Sequence, residues 1–447
     1  MYENLKGKKL LIVGSEQVDT NIVQAAQNLG IYTIVVDGKT KGPTTFAKNM
    51  ANESWDIDYR NIDLICKKCS EENVDGVLAG YSEFRVLAAC RIAQKLGKPF
   101  YATEEQIELT RNKRRFKDEC FKYGIRIPKD FCINTAPTEE EIEAMHFPVI
   151  VKPTDYAGRK GITVCYEKDK LNEAVEYALS LSQSHTIIIE EYIVGKEYTA
   201  VYSLSDGDAE LTCLNEKYLN ETQKRITGLC DLSVAPSSSV DAFIEKADKK
   251  IKSFLKGIGA ENGVAFFQGI EKEGEFYIFE MGYRLNGGND YFLVEQEHGI
   301  SYMNMLISYA LTGSMGDDIK KNNPHFSAYH SNYIIYAHGG TISTVVCPET
   351  GEIEGIDQIQ SCAIPGARIV EDGSTGQRAF SFKITSKTLN DLKHTILDIN
   401  ERVKVINTEG ENILFKPFEV QKIGRGGVQL NNTVVLFSYF HQLQEVA

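Results

Sequence analysis

Three stretches of the sequence combine residue types that suit the handling of a phosphate ester. In VIVKPTDYAGRKG, Val149 to Gly161, an apolar run ends in Lys152 and passes into a loop holding Gly158 and Gly161. Glycines let backbone N–H groups approach phosphate oxygens, and a lysine leaving a strand supplies a fixed positive charge. Taken alone, this is equally a glycine-containing hairpin loop beside a surface lysine. In IIIEEYIVGKE, an apolar strand runs into Glu190, Glu191, an aromatic, Ile193, a glycine and Glu197. Adenine is recognised by backbone groups and a flat apolar slot, and a ribose by a carboxylate that accepts from its hydroxyls. Alone, this pattern also describes a solvent-facing acidic turn. In FFQGIEKEGEFYIFEMGYRLNGGND, Gln268 and Glu280 sit on two predicted strands joined by a turn at Gly274. An antiparallel hairpin brings such side chains together, and a few oxygen ligands that leave room for phosphates suit magnesium. Arg284 follows, with a guanidinium able to clamp an anionic intermediate in bidentate fashion.

The surrounding elements are arranged to position these groups. From Lys9 the chain reads strand, turn, helix, strand: KLLIVG, a helical QVDTNIVQAAQNLG and IYTIVVDG. Strands and helices keep alternating to about residue 105, which predicts a small doubly wound parallel sheet. Its first turn, GSEQVD, has one glycine where a dinucleotide site needs GxGxxG, so a nicotinamide or flavin role is disfavoured. A basic helix, RNKRRFKDECFKYG, opens a second unit of strands flanking one helix. An α+β stretch follows, and then a strand-rich closing lobe with the amphipathic helix SKTLNDLKHTILDINERV. The expected domains are 1–110, 111–312 with a mobile lid subdomain at about 115–187, and 313–447.

Composition narrows the partners. A chain of 447 residues with 42% hydrophobic and 25% charged residues is an ordinary globular protein of several lobes. A net charge of -13 argues against nucleic acid or an anionic membrane, which are held by basic patches. Ten scattered cysteines lack a secreted disulfide framework, and the single CxxC, Cys66 and Cys69, has no second pair to complete a metal site. No run of about eighteen apolar residues occurs, so a cytoplasmic protein that neither spans a membrane nor is exported is expected. His298, His325, His330 and His338 are expected to be packed or surface histidines rather than catalytic bases.

In their order and spacing the three stretches resemble the ATP-grasp superfamily, over about residues 1 to 310. Within it the sequence is similar to biotin carboxylase, the carbamoyl phosphate synthetase large subunit and the bacterial L-amino acid ligases. The resemblance implies a central ATP-grasp fold of two α+β lobes, with ATP and magnesium (or manganese) as cofactors. It assigns Lys113 and Lys152 to the nucleotide phosphates, and the loop from Thr154 to Gly161, with Gly158, to the lid. Glu190 and the backbone around Glu191 and Ile193 go to adenine, and Glu197 to the ribose. Gln268 and Glu280 fall on the two metal positions, and Arg284 on the arginine that stabilises an acyl phosphate. One departure is Gly282, where many relatives have a metal-binding asparagine; a water or Asn286 is the expected substitute.

The function implied is an ADP-forming ligase that makes C–N bonds, with a small-molecule carboxylate and an amine as partners and a homodimer as the expected assembly. Two other readings stay open: activation of bicarbonate or formate, and a non-catalytic nucleotide-binding regulator.

Overall fold

A computed structural model of the protein describes residues 2–155, 161–220, 228–316 and 322–424; Gly158 lies outside them. The N-terminal sheet is parallel, in the order β3-β2-β1-β4, from β1 (Lys9–Val13), β2 (Tyr32–Asp37), β3 (Glu53–Asp56) and β4 (Gly76–Leu78). The strands of β1 are apolar on both faces because helices cover the sheet, and Leu10, Leu11, Ile12 and Val13 are fully buried. The expected alternation of strand and helix is therefore present.

The single glycine of the first turn has a local reason. Gly14 takes φ +132°, and a Cβ there would lie 2.6 Å from the Asp19 carboxylate. Asp19 folds back to accept from the Glu16 N–H at 2.9 Å, and Arg85 reaches Glu16, Asp19 and Asp37 at 3.0, 3.4 and 3.2 Å. An ion cluster thus fills the carboxyl ends of β1 and β2, where a dinucleotide pyrophosphate would need a glycine-lined turn. Burial pushes the Asp19 carboxyl up to about 7 in spite of Arg85. The folded protein then binds more protons than the unfolded chain between pH ~4 and ~7, so stability should fall as pH rises through that window. Asp19→Asn should flatten this slope, as read from urea midpoints at several pH values; an unchanged slope would show that Asp19 ionises normally.

The second unit contains a four-stranded antiparallel sheet, β5-β8-β6-β7, from β5 (Asp130–Asn134), β6 (Val149–Pro153), β7 (Thr163–Cys165) and β8 (Ile187–Glu191). The helix Leu171–Leu181 packs Leu171, Ala174, Val175 and Ala178 against it in a core of its own. Next come β9 (Lys196–Ser205), β10 (Asp208–Leu219), β11 (Cys230–Ala235), β12 (Gly263–Lys272) and β13 (Glu275–Gly282).

The C-terminal strands are β14 (Tyr329–Tyr336), β15 (Gly340–Val346), β16 (Ile356–Ser361), β17 (Arg368–Ile369), β18 (Arg378–Ser386) and β19 (Lys404–Asn407). Three of them extend the preceding sheet, giving eight strands in the order β13-β12-β9-β10-β11-β14-β18-β16. The amphipathic helix forms over Leu389–Arg402, capped by Thr388 and Asp391, with Leu392, Ile396 and Ile399 buried. Among the described residues no helix is long and apolar enough to cross a membrane.

Candidate functional site

Lysines converge between the small antiparallel sheet and the β12–β13 hairpin. Asn112 caps the helix Lys113–Lys122, so Lys113 stands at its first position, with its backbone N–H on the Thr154 carbonyl at 3.3 Å. Lys117 lies one turn further on the same face. Lys152 stands near the end of β6, and Glu190 is diagonal to it on β8, on the same face of the sheet. Asp130 is the direct cross-strand partner of Glu190. Lys117 pairs with both Asp130 and Glu190, and Lys152 also pairs with Glu190. All three residues of the lysine–glutamate triad are buried: Lys117 is 2%, Lys152 4% and Glu190 1% exposed.

Burial, with the cations of Lys117 and Lys113 behind it, pushes the Lys152 amine well below lysine's usual range; Glu280 and Asp130 oppose this. Burial likewise lowers Lys117, against Asp130. Three lysines gathered around the carboxylates of Glu190 and Asp130 in a dry place leave positive charge that a polyphosphate would offset. The adjoining cleft is lined by Glu83, Thr110, Lys113, Asp155, Phe279 and Glu280, among others.

The hairpin that faces these lysines turns at Glu273 (φ 53°) and Gly274 (φ 74°), two left-handed positions in a row that match the twist of the flanking strands. Gln268 and Glu280 are direct cross-strand partners, with a bulge immediately beyond them. Both are half-buried on one face, and neither side chain has a hydrogen-bond partner among the described residues. Two free oxygen ligands fit a magnesium ion that completes its shell with phosphate and water. Gly282 opposes Phe266, and a Cβ there would come within 2.3 Å of the Phe266 ring. The ring fills the space that a side chain at position 282 would take, and it supports Arg284, whose guanidinium lies 5.0 Å from the ring centroid. Asn286 does not replace the missing ligand: its amide pairs with the Asp290 carboxylate, and its Oδ1 accepts from the Asp290 N–H at 3.1 Å.

Arg284 is held from the N-terminal unit. Its Nε donates to Glu83 Oε1 at 2.7 Å, Nη2 pairs with the same oxygen, and Nη1 donates to the Leu285 carbonyl at 2.8 Å. Glu83 opens the helix Glu83–Lys95 just past β4 and also lines the lysine cleft, so Arg284 borders that cleft.

The remaining predicted residues lie along the same region. Gly161 has φ +80° and packs against Pro153, where a Cβ would come within 2.9 Å of the ring, so the returning end of the loop closes tightly on β6. The Glu191 N–H donates to the Lys129 carbonyl at 2.9 Å; Ile193 and Glu197 are buried. The Glu190 side chain itself is turned to the two lysines rather than left open to a base. The histidines are engaged elsewhere, as with His330 between Thr385 and Glu297, both at 2.9 Å. Burial pushes the Cys69 thiol up to about 12. Sequence reasoning passed over Lys117 and Glu83. The four-residue spacing of Lys113 and Lys117 was the available signal for the first, and only tertiary contact reveals the second.

Comparison with known proteins follows the same outline. A sequence model of the ATP-grasp domain matches residues 110–288. The carbamoyl phosphate synthase large chain of Clostridium beijerinckii is 25% identical over 296 residues, 62% of this chain; the chain covers 27% of that protein's length. Among solved structures, the L-amino acid ligase from Bacillus licheniformis superposes with a TM-score of 0.73 at 18% identity, covering 90% of this chain and 99% of that one. The biotin carboxylase domain of the Hydrogenobacter thermophilus 2-oxoglutarate carboxylase, solved with MgADP and bicarbonate, gives 0.74 at 18% identity, covering 89% and 90%. Residues 110–288 of this chain, with the lysine cleft, the Gln268–Glu280 pair and Arg284, form an ATP-grasp domain.

Proposed function

We propose that the protein is an ADP-forming carboxylate–amine ligase. The observation that carries this reading is the gathering, around one cleft, of lysines, an open oxygen pair and an arginine held by Glu83 of the cleft wall. Lys113 and Lys152 bind and orient the triphosphate of ATP, with Glu191, Ile193 and Glu197 along the nucleoside. Gln268 and Glu280 hold a magnesium ion, which when bound neutralises phosphate charge. A carboxylate oxygen attacks the γ-phosphorus, the bond to the ADP oxygen breaks, and an acyl phosphate forms. The chain's contribution is positioning and charge neutralisation, as in phosphoryl transfer generally. Arg284 follows the negative charge onto the acyl phosphate. The amine then attacks the carbonyl carbon, the C–N bond forms and phosphate leaves. Of the two protons the ammonium sheds, one departs with phosphate and one reaches solvent.

The preference for an amine rests on the resemblance to L-amino acid ligases. The likeness to a carboxylase domain keeps bicarbonate as the second reading, and labelled bicarbonate separates the two. The reaction should yield ADP and phosphate, read by chromatography during a screen of amino acids singly and in pairs. AMP and pyrophosphate as products would sink the mechanism.

A further inference from the structure

The eight-stranded sheet changes partners along β14. β11 pairs with it from Ala235, opposite His330, to Leu232, opposite Tyr333, and stops there. Beyond that point the segment after β19 takes over: the Phe415 N–H donates to the Tyr336 carbonyl at 2.8 Å, and Leu414 bridges Ala337. A cavity of about 180 Å³ lies at the changeover, between the start of β11, the end of the helix Leu389–Arg402 and residues 412–418. A volume of this size holds one aromatic ring. It shares no lining residue with the lysine cleft.

The walls are mostly apolar. Tyr333 and Phe418 pack with ring centroids 6.3 Å apart, and Tyr336 and Phe415 at 6.2 Å. Both tyrosine hydroxyls are committed, to Asn400 Oδ1 at 2.6 Å and to the Cys230 carbonyl at 3.3 Å, so these residues offer the cavity their rings. One acid stands among them. The β10–β11 register passes from Tyr218–Leu232 to Leu219–Cys230 and skips Asp231, and a bulge of this kind re-aims the extra side chain. Asp231 Oδ1 accepts from the Asn220 amide at 2.8 Å, while Oδ2 has no hydrogen-bond partner among the described residues. The nearby cations are matched elsewhere: Lys416 pairs with Glu419 at 2.9 Å, and Lys422 with the same carboxylate at 3.9 Å. Burial pushes the Asp231 carboxyl up to about 7, against the Asn220 amide and Lys422.

Aromatic walls around one under-matched carboxylate suit a ring that carries a positive charge. The ring displaces water from apolar surface, and an ammonium takes the open oxygen with aromatic faces beside it. An anion would be repelled by Asp231, and a neutral ring would leave the acid without a partner. We propose that this cavity is a binding site for a small aromatic amine in its ammonium form, separate from the ATP-grasp cleft. The inference goes beyond the ligase reading, and its test does not depend on turnover.

Calorimetric titration of the full chain with benzylamine, and with benzyl alcohol as its neutral counterpart, tests the site. Benzylamine should bind, and the alcohol should bind about 10-fold or more weakly, because it leaves the carboxylate unmatched. This comparison needs no variant. Asp231→Asn keeps an acceptor for the Asn220 amide and should hold its melting temperature; it should weaken benzylamine by about 10-fold or more and change the alcohol little. Affinity for benzylamine should fall as pH drops through about 7, where Asp231 takes up a proton, and this dependence should vanish in Asp231→Asn. Saturating ATP should leave benzylamine affinity within about two-fold, since the two sites share no residue. Absence of benzylamine binding overturns the inference. So do equal affinities for the two probes, benzylamine binding that Asp231→Asn leaves unchanged, and displacement of benzylamine by ATP.

Discussion

Arg284→Met is expected to leave ATP affinity within a few-fold and to lower the ligation rate by roughly 10² or more, the scale seen when one preorganised charge donor is lost. Arg284 follows Glu280 by four residues and is held by Glu83 in the wall of the cleft, with no contact to the lysines assigned to the triphosphate among the described residues. Its charge therefore matters where negative charge moves onto the acyl phosphate, more than where ATP first binds. The same guanidinium also ties β13 to the N-terminal helix through Glu83, whose side chain is 13% exposed. Removing it leaves a partly buried carboxylate unpaired, and a stability loss of about 1–3 kcal/mol is expected as well. Glu83→Gln separates the two effects. It keeps an acceptor for Arg284 while cancelling the ion pair, so it should reproduce much of the melting shift and lose far less rate. Equal rate losses in Arg284→Met and Glu83→Gln would mean that Arg284 serves only to join the units. A folded Arg284→Met protein with nearly full ligation rate would refute its assignment to the intermediate.

Lys152→Ala should abolish nucleotide-dependent turnover, and Glu280→Ala should do so unless magnesium is raised, because both remove charge matched to the phosphates. The fold should survive the first change, since Lys117 still pairs with Glu190. Lys152 offers a second, independent reading of the same contact. Its amine is pushed well down by burial, Lys117 and Lys113, and a triphosphate placed against it favours the charged form. ATP binding should then take up a proton, and affinity should fall as pH rises above the free protein's lowered pKa. Titration heats in buffers of different ionisation enthalpy read this directly, and the uptake should vanish in Lys152→Ala. Near-normal turnover of Lys152→Ala at saturating substrate would place the phosphates elsewhere.

The sequence by itself determined the local pieces: the parallel N-terminal unit, the hairpin at Gly274, the helix behind Thr388, and the strand ends carrying Lys152 and Glu190. Periodicity, caps and turn residues are local causes, and each acts within a few residues of the element it makes. The pairing of Gln268 with Glu280 was legible for the same reason, because one short turn sets the register of two strands. Tertiary structure alone decided which distant charges meet. Glu83 and Arg284 are separated by 201 positions, one opening a helix of the N-terminal unit and the other just past β13, so no period or spacing relates them. Lys117 reads as one more basic residue on a charged helix until β5 and β8 enclose it with Asp130 and Glu190. Gly282 reads as a missing ligand until Phe266 fills the place and carries Arg284 on its face. In each case the deciding quantity is desolvation by chain segments remote in sequence, which changes what a charge costs and therefore what it must bind.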